Sequence, residues 1–258
     1  MNKETVMKKI FDWTSLAPYI TFVIIFIAWD GAVYLFNIPD SILPPLSSIL
    51  YTLVSTFIPV LGHHMLVTLS TILTGMIIGA PLGILIASLV SQMKIVEAIL
   101  KPYIIILVTL PMVVLLPILM MWFGFGSTAT NLVVICQTAP IVALNSITGF
   151  NSVERSKVQL GESMGANRLQ IFGKIVFPNA LPYVFTGLRL GGIFATTATI
   201  SAELVSSTEG LGNRVIYFSK MVQMESAWAC ILLIAVIGVT LFGILTFIEN
   251  KIVVWKER

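Results

Sequence analysis

The sequence predicts an all-α integral membrane protein of about six transmembrane helices, with both termini on the cytoplasmic side. Three observations predict it. First, 57% of the 258 residues are apolar and only 10% are charged. Soluble domains carry about 25% charged residues, so this chain has too little charge to cover a surface that faces water. Second, six stretches are apolar over lengths near the roughly 20 residues that cross a hydrocarbon core of about 30 Å. Third, Lys and Arg fall almost entirely on one side when those stretches are threaded through a bilayer.

The stretches run over 16–36, 64–90, 102–123, 129–150, 181–207 and 226–249. In lipid every backbone amide must be paired within its own segment, which selects helices over open strands. Barrel strands would alternate polar and apolar residues, and these runs do not. Gln137, Thr138 and Asn145 interrupt the fourth stretch and Arg189 the fifth. Lys3, Lys8 and Lys9 precede the first stretch, as in a signal peptide. That run is as long as a full span and no small-x-small site follows it, so it reads as an uncleaved helix. The domain organisation is then a cytoplasmic segment over 1–15 and a single transmembrane domain over 16–258.

With the N-terminus inside, Lys3, Lys8, Lys9, Lys94, Lys101, Arg155, Lys157, Arg168, Lys174, Lys251, Lys256 and Arg258 all lie inside. Arg214 and Lys220 lie outside, and Arg189 sits within a span near its inner end. The net charge of +3 is therefore a matter of topology and points to no nucleic-acid partner. Cys136 and Cys230 fall inside spans, which argues against a disulfide framework or a metal site.

Of the connections, 37–63 is an outer loop with four prolines around an apolar stretch, 46–57, that reads as a short helix at the interface. A tight turn is expected over 124–128. The long inner loop, 151–180, reads as two short helices about a sharp bend. The first covers 153–164, and Gly165 suits a left-handed C-cap. Asn167 and Gln170 have the spacing of a capping box. The second helix is expected to end near Val176, with Pro178 just beyond, and to carry Leu169, Phe172 and Val176 on one face, with Ile171 and Ile175 beside them. Such a helix either rests on an anionic leaflet or docks in a groove of a cytoplasmic protein.

The stretch GESMGANRLQIFGKIVFPNALPYVFTGLRL, residues 161–190, resembles the signature loop of binding-protein-dependent ABC importer permeases. Gly165 stands at the signature glycine, and Phe177 and Pro178 at the Leu-Pro position thirteen residues on. Arg168, Gln170, Ile171 and Phe172 fit the pattern between them. LPPLSSIL (43–50), LPMVVLLPILMMWFGFGS (110–127), TGLRL (186–190) and AELVSSTEGLG (202–212) are similar, in this order, to segments of the sulfonate, taurine and nitrate branch. One departure stands out. Gln159, Leu160 and Gly161 occupy the Glu-Ala-Ala positions, and Glu162 lies out of register.

The resemblance implies a type I importer fold in a bacterial inner or plasma membrane. It implies a second permease copy, a cytoplasmic ABC ATPase dimer and an extracytoplasmic solute-binding protein as partners. ATP and Mg would be bound by the ATPase, and no cofactor by this chain. Gln159, Gly161, Glu162, Gly165, Ala166, Asn167, Arg168, Gln170, Ile171, Phe172 and Pro178 would form the ATPase-coupling loop. The solute would be a small organic anion such as a sulfonate, with nitrate-like anions or a vitamin precursor left open. The chain contains no G-x-x-x-x-G-K-[ST] loop, so nucleotide must be bound elsewhere.

Polar residues inside the spans carry two readings each. Glu203 lies deep in the fifth span, where a carboxylate costs about 2.5–3.5 kcal/mol at mid-membrane. It is either a pathway or gate residue or a structural hydrogen-bond partner near the outer end. Arg189 either meets an anionic solute or snorkels. Thr196 and Thr199, with Thr197 and Ser201, wet a pathway or bond between helices. Gly75, Gly79 and Gly83 form a close-packing face, within the chain or between subunits. Pro81, Pro111, Pro117 and Pro140 each remove a helical hydrogen bond.

Two other classes compete. A hydrolase needs a nucleophile and base, but the only histidines, His63 and His64, sit together at the start of a span, and no G-x-S-x-G elbow occurs. A secondary transporter or channel with no ATPase partner would be expected to show paired buried charges or inverted repeats. The sequence displays only isolated buried charges and no convincing repeat.

Overall fold

The structure, a computed structural model, describes residues 13–206 and 208–255. The sequence expectations for Lys3, Lys8, Lys9, Lys256, Arg258 and Ser207 lie outside the described residues. Among the described residues all regular structure is helical. It comprises α1 (Trp13–Leu35), α2 (Leu46–Gln92), α3 (Lys94–Thr109), α4 (Leu116–Phe123), α5 (Ser127–Asn151), α6 (Arg155–Ser163), α7 (Arg168–Val205), α8 (Leu211–Lys220) and α9 (Met224–Ile252). Four of these, α2, α5, α7 and α9, are long and apolar enough to cross a membrane.

The bundle is built around α5. Two thirds of its apolar window is buried (67%), against 6% for α9. Glycines let its neighbours close on it. A Cβ on Gly75 of α2 would strike Val134, one on Gly79 would lie 3.0 Å from Thr138 Cβ, and one on Gly83 would meet the Ala139 carbonyl. From the other side, Gly187 and Gly191 of α7 bring Asn145 and Val142 as close as 2.9 Å to the same kind of added Cβ. Removing Cβ at such crossings is how helices approach closely where lipid offers no hydrophobic drive. The 75–79–83 face thus packs within the chain. Phe22, Ile24, Ile27, Val236, Val239 and Phe247 remain exposed on α1 and α9, a surface suited to lipid rather than water.

Three expectations are corrected. The stretch 102–123 is not one helix. Leu110 and Pro111 are extended (ψ 125° and 101°), a 3₁₀ turn covers Met112–Val114, and α4 begins at Leu116. A residue before proline is pushed out of the α region, and hydropathy cannot register that backbone constraint.

The apolar stretch 46–57 is not a separate interfacial helix. It is the first part of α2, which is continuous for 47 residues, about 70 Å. Leu46 and Ile49 are buried in the main core. Asp30 Oδ1 accepts from Leu46 N at 2.6 Å and so caps α2 from α1. Trp29 donates to the Pro44 carbonyl at 3.1 Å and meets Trp228 edge-on at 5.1 Å.

The second loop helix does not end near Val176 either, because α7 runs through Pro178 without a break. A π turn, Phe172–Val176, precedes that proline, and another, Gly75–Gly79, precedes Pro81. The carbonyls these prolines leave unserved, Lys174 and Ile77, fall inside the wider turns, where bonds reach to the fifth residue. A third π turn, Phe57–Leu61, holds Pro59.

Candidate functional sites at the two ends of α7

One end of α7 is the bend at 155–171. Helix α6 closes with two bonds, Gly165 N to Glu162 O at 2.9 Å and Ala166 N to Gly161 O at 3.0 Å, and Gly165 has φ +80°. This is a Schellman close, which an L side chain at Gly165 would strain. Two residues on, α7 opens with the expected capping box: Gln170 N donates to Asn167 Oδ1 and Asn167 N to Gln170 Oε1, both at 2.9 Å. Gly161 is buried against α7, where an added Cβ would lie 2.8 Å from Ile175 Cδ1.

The bend sorts its apolar residues into two sets. Ile171 is buried, and Phe172 meets Phe150 edge-on at 5.1 Å, with Phe177 behind at 6.1 Å from Phe150. Leu160, Met164 and Leu169 instead stand free, 64%, 79% and 76% exposed. Leu169 therefore does not share the inward face of Phe172 and Val176. Gln159, Glu162 and Arg168 are exposed around this tip, and Ala166 is half-buried. Behind it a recess of about 560 Å³ opens between Leu89, Gln92, Phe150, Arg168 and Phe172.

The other end of α7 holds Glu203, which is 2% exposed. Helix α8 starts at Leu211, and its first amides have no partner within their own helix. Side chains from two other helices supply them. Gly210 N donates to His64 Nδ1 at 3.1 Å, Leu211 N to Thr68 Oγ1 at 2.9 Å, and Gly212 N to Glu203 Oε2 at 2.8 Å. Thr68 Oγ1 in turn donates its hydrogen bond to the Glu203 carboxylate, lying 2.9 and 3.0 Å from the two oxygens. A carboxylate at a helix N-terminus also meets the positive end of its dipole.

Both glycines here are needed for that approach. Gly210 has φ +97°, and a Cβ there would land on the Glu203 carboxylate. A Cβ on Gly212 would lie 2.8 Å from Glu203 Cβ. A cavity of about 260 Å³ adjoins the cluster, walled by Thr71, Ser127, Thr130 and Glu203. His63, exposed, faces Glu209 at 3.7 Å.

Between the two ends, Arg189 forms an ion pair with Glu249 of α9, both side chains largely buried (17% and 3% exposed). Arg189 also donates to Thr186 Oγ1 at 3.2 Å and sits 5.8 Å from the Phe242 ring centre. Thr196 donates back to the Gly192 carbonyl at 2.9 Å. Thr199 is fully buried, and its hydroxyl has no hydrogen-bond partner among the described residues.

Sequence reasoning singled out Glu203 and Arg189 but missed Thr68, Glu249 and the bond made by His64. The pair of glycines two residues apart after an intramembrane acid was the available signal for the first cluster. Glu249, the acid closing the last apolar stretch, was the signal for the second.

The chain is similar over nearly its whole length to transport permeases. It is 26% identical to the formylaminopyrimidine transport permease protein ThiX of Halalkalibacterium halodurans, over 96% of this chain and 98% of that one. It is 27% identical to the taurine transport system permease protein TauC of Escherichia coli, over 91% and 88%. It is 26% identical to the riboflavin transport system permease protein RibX of Chloroflexus aurantiacus, over 95% and 92%. The fold is similar to a solved amino acid ABC transporter, with a TM-score of 0.64 at 18% identity over 77% of this chain and 96% of that one. An inward-facing MetNI methionine ABC transporter gives 0.58 at 19% identity, over 78% and 96%. The family model described as binding-protein-dependent transport system inner membrane component matches residues 79–254, more than half of the chain, including the capped bend, Glu203 and the start of α8. The chain therefore belongs to that family: it is a multi-pass ABC importer permease component, and not itself an enzyme.

Proposed function

We propose that this chain is the pathway-forming subunit of an importer in the bacterial inner or plasma membrane, working as a homodimer with a separate ATPase and an extracytoplasmic solute-binding protein. The bend at 155–171 contacts the ATPase and lies in the cytoplasm with both termini, as the clustering of Lys and Arg toward that end supports. ATP and Mg are bound by the ATPase and not by this chain.

One observation carries the reading. The bend is stiffened by a Schellman close and a capping box, yet it presents Leu160, Met164 and Leu169 to solvent. A rigid elbow with an unburied apolar tip fits a helix-in-groove contact.

The solute is a small organic molecule, with a sulfonate-like anion as the leading class because taurine is among the solutes that relatives' names carry. Arg189 is already paired with Glu249, so anion recognition falls to the binding protein rather than to that residue.

The test is co-purification with the ATPase. Leu169→Glu should abolish a stoichiometric complex, because a carboxylate would have to be desolvated in the groove, at a cost of several kcal/mol. The variant permease should remain folded, since Leu169 is exposed. Undiminished co-purification, or ATP-independent solute flux from the chain alone in liposomes, would refute the reading.

A further inference from the structure

We propose that Glu203 is a positioning residue of the transport cycle: it is the joint by which α7 carries α8. Movement of the bend at one end of α7 then reaches the segment 208–220 at the other. The proposal rests on the reading that the bend receives force from an ATPase.

The geometry supports it in three steps. The first concerns stiffness. From Tyr183 to Val205 α7 contains neither a proline nor a π turn, and the Arg189–Glu249 pair fastens it to α9. Its softer features, the π turn Phe172–Val176, Pro178 and Pro182, all lie toward the bend. The part that holds Glu203 is therefore the stiffest stretch of α7.

The second concerns how α8 is held. Its N-terminus is fixed by acceptors on two different helices, Glu203 on α7 and His64 with Thr68 on α2. Thr68 Oγ1 is the shared atom: it accepts from Leu211 N and donates to Glu203. Any displacement of α7 relative to α2 must stretch this three-way junction or tilt α8 with it. Three consecutive amides converging on two helices make the junction a point of transfer rather than a tether.

The third concerns what α8 can act on. Beside the junction lies the 260 Å³ cavity walled by Thr71, Ser127 and Thr130. Helix α8 also carries Arg214, stacked over Tyr217 at 5.0 Å, and is followed by exposed Met221 and Val222, the latter at φ +58°. A tilt of α8 moves polar, cationic and apolar groups together at the end of the bundle remote from the bend.

The experiment is hydrogen exchange on the assembled importer, comparing the nucleotide-free complex with the ATP complex held before hydrolysis. In the native complex the amides of Gly210, Leu211 and Gly212 should change exchange rate about tenfold between the two states. In Glu203→Ala that change should vanish while peptides from 155–171 keep their own nucleotide response. Glu203→Gln, which retains an acceptor oxygen for Gly212 N, should restore the response at 210–212.

No nucleotide response at 210–212 in the native complex overturns the proposal, and so does a full response in Glu203→Ala. Loss of the response at 155–171 in the native complex instead brings down the ATPase reading, and this inference with it. If Glu203→Ala does not assemble, Thr68→Ser and Thr68→Val pose the same question. Serine keeps the bridging hydroxyl and should behave as native; valine removes it and should uncouple 210–212. Equal behaviour of the two overturns the proposal.

Discussion

The two ends of α7 solve the same problem by opposite means. Each must satisfy the free amides at a helix start. At the bend the acceptors are local: Asn167 and Gln170 serve each other across three residues. At the far end they are distant: Thr68 and His64 reach amides 143 and 146 residues away in sequence. A locally capped element keeps its shape whatever its neighbours do, which suits a part that meets another protein. An element capped from two other helices keeps its place only while those helices hold their relation, which suits a part that responds to them.

The largest effect that can break this contrast comes from the pair between the two ends. Arg189→Ala removes the cation from Glu249 in a nearly dry setting and should destabilise the bundle by about 3 kcal/mol. The change would be read as a fall in the denaturant midpoint in detergent, with Arg189→Met/Glu249→Leu recovering most of it. No change would mean that α7 and α9 are held by apolar packing alone.

Next in size is Thr68→Val, which keeps the shape but removes one acceptor and one donor from a buried site. A loss of about 2 kcal/mol is expected, from leaving buried groups unsatisfied, with faster exchange at 210–212. A loss confined to residues near Thr68 in α2, with 210–212 unaffected, would mean that α8 is not anchored there. The smallest effect is Asn167→Ala, about 1 kcal/mol for a lost N-cap. It should raise exchange only at 167–171 and leave 210–212 untouched. Spread of that change along α7 would show that the bend is not the autonomous unit its caps imply.

This contrast also explains what was legible in the sequence. The cap residues of the bend, Gly165, Asn167 and Gln170, could be read directly because local hydrogen bonds leave a fixed spacing. The membrane class followed from composition. The Glu203 cluster could not be assembled beforehand, since nothing in a one-dimensional pattern says that position 68 meets position 203. Leu110 and Pro111 hid inside an apolar run because hydropathy counts side chains and not backbone angles. The start of α2 is hidden in the sequence for the converse reason. Pro44, Pro45 and Pro59 resemble loop punctuation, but Pro45 stands at the N-cap and Pro59 is absorbed in a π turn. Helical spacing puts Leu169 on one face with Phe172 and Val176; a bend that turns its tip outward overrides that spacing and leaves Leu169 exposed.

The Arg189–Glu249 pair has a consequence for how the chain is made. Arg189 is synthesised some sixty residues before its partner. Until α9 follows, α7 lacks the Glu249 counter-ion for Arg189, and an unpaired Arg in a spanning helix costs about 3 kcal/mol at mid-bilayer and less toward an end from which it can snorkel. A chain that stops short of α9 therefore retains an unstable charged helix.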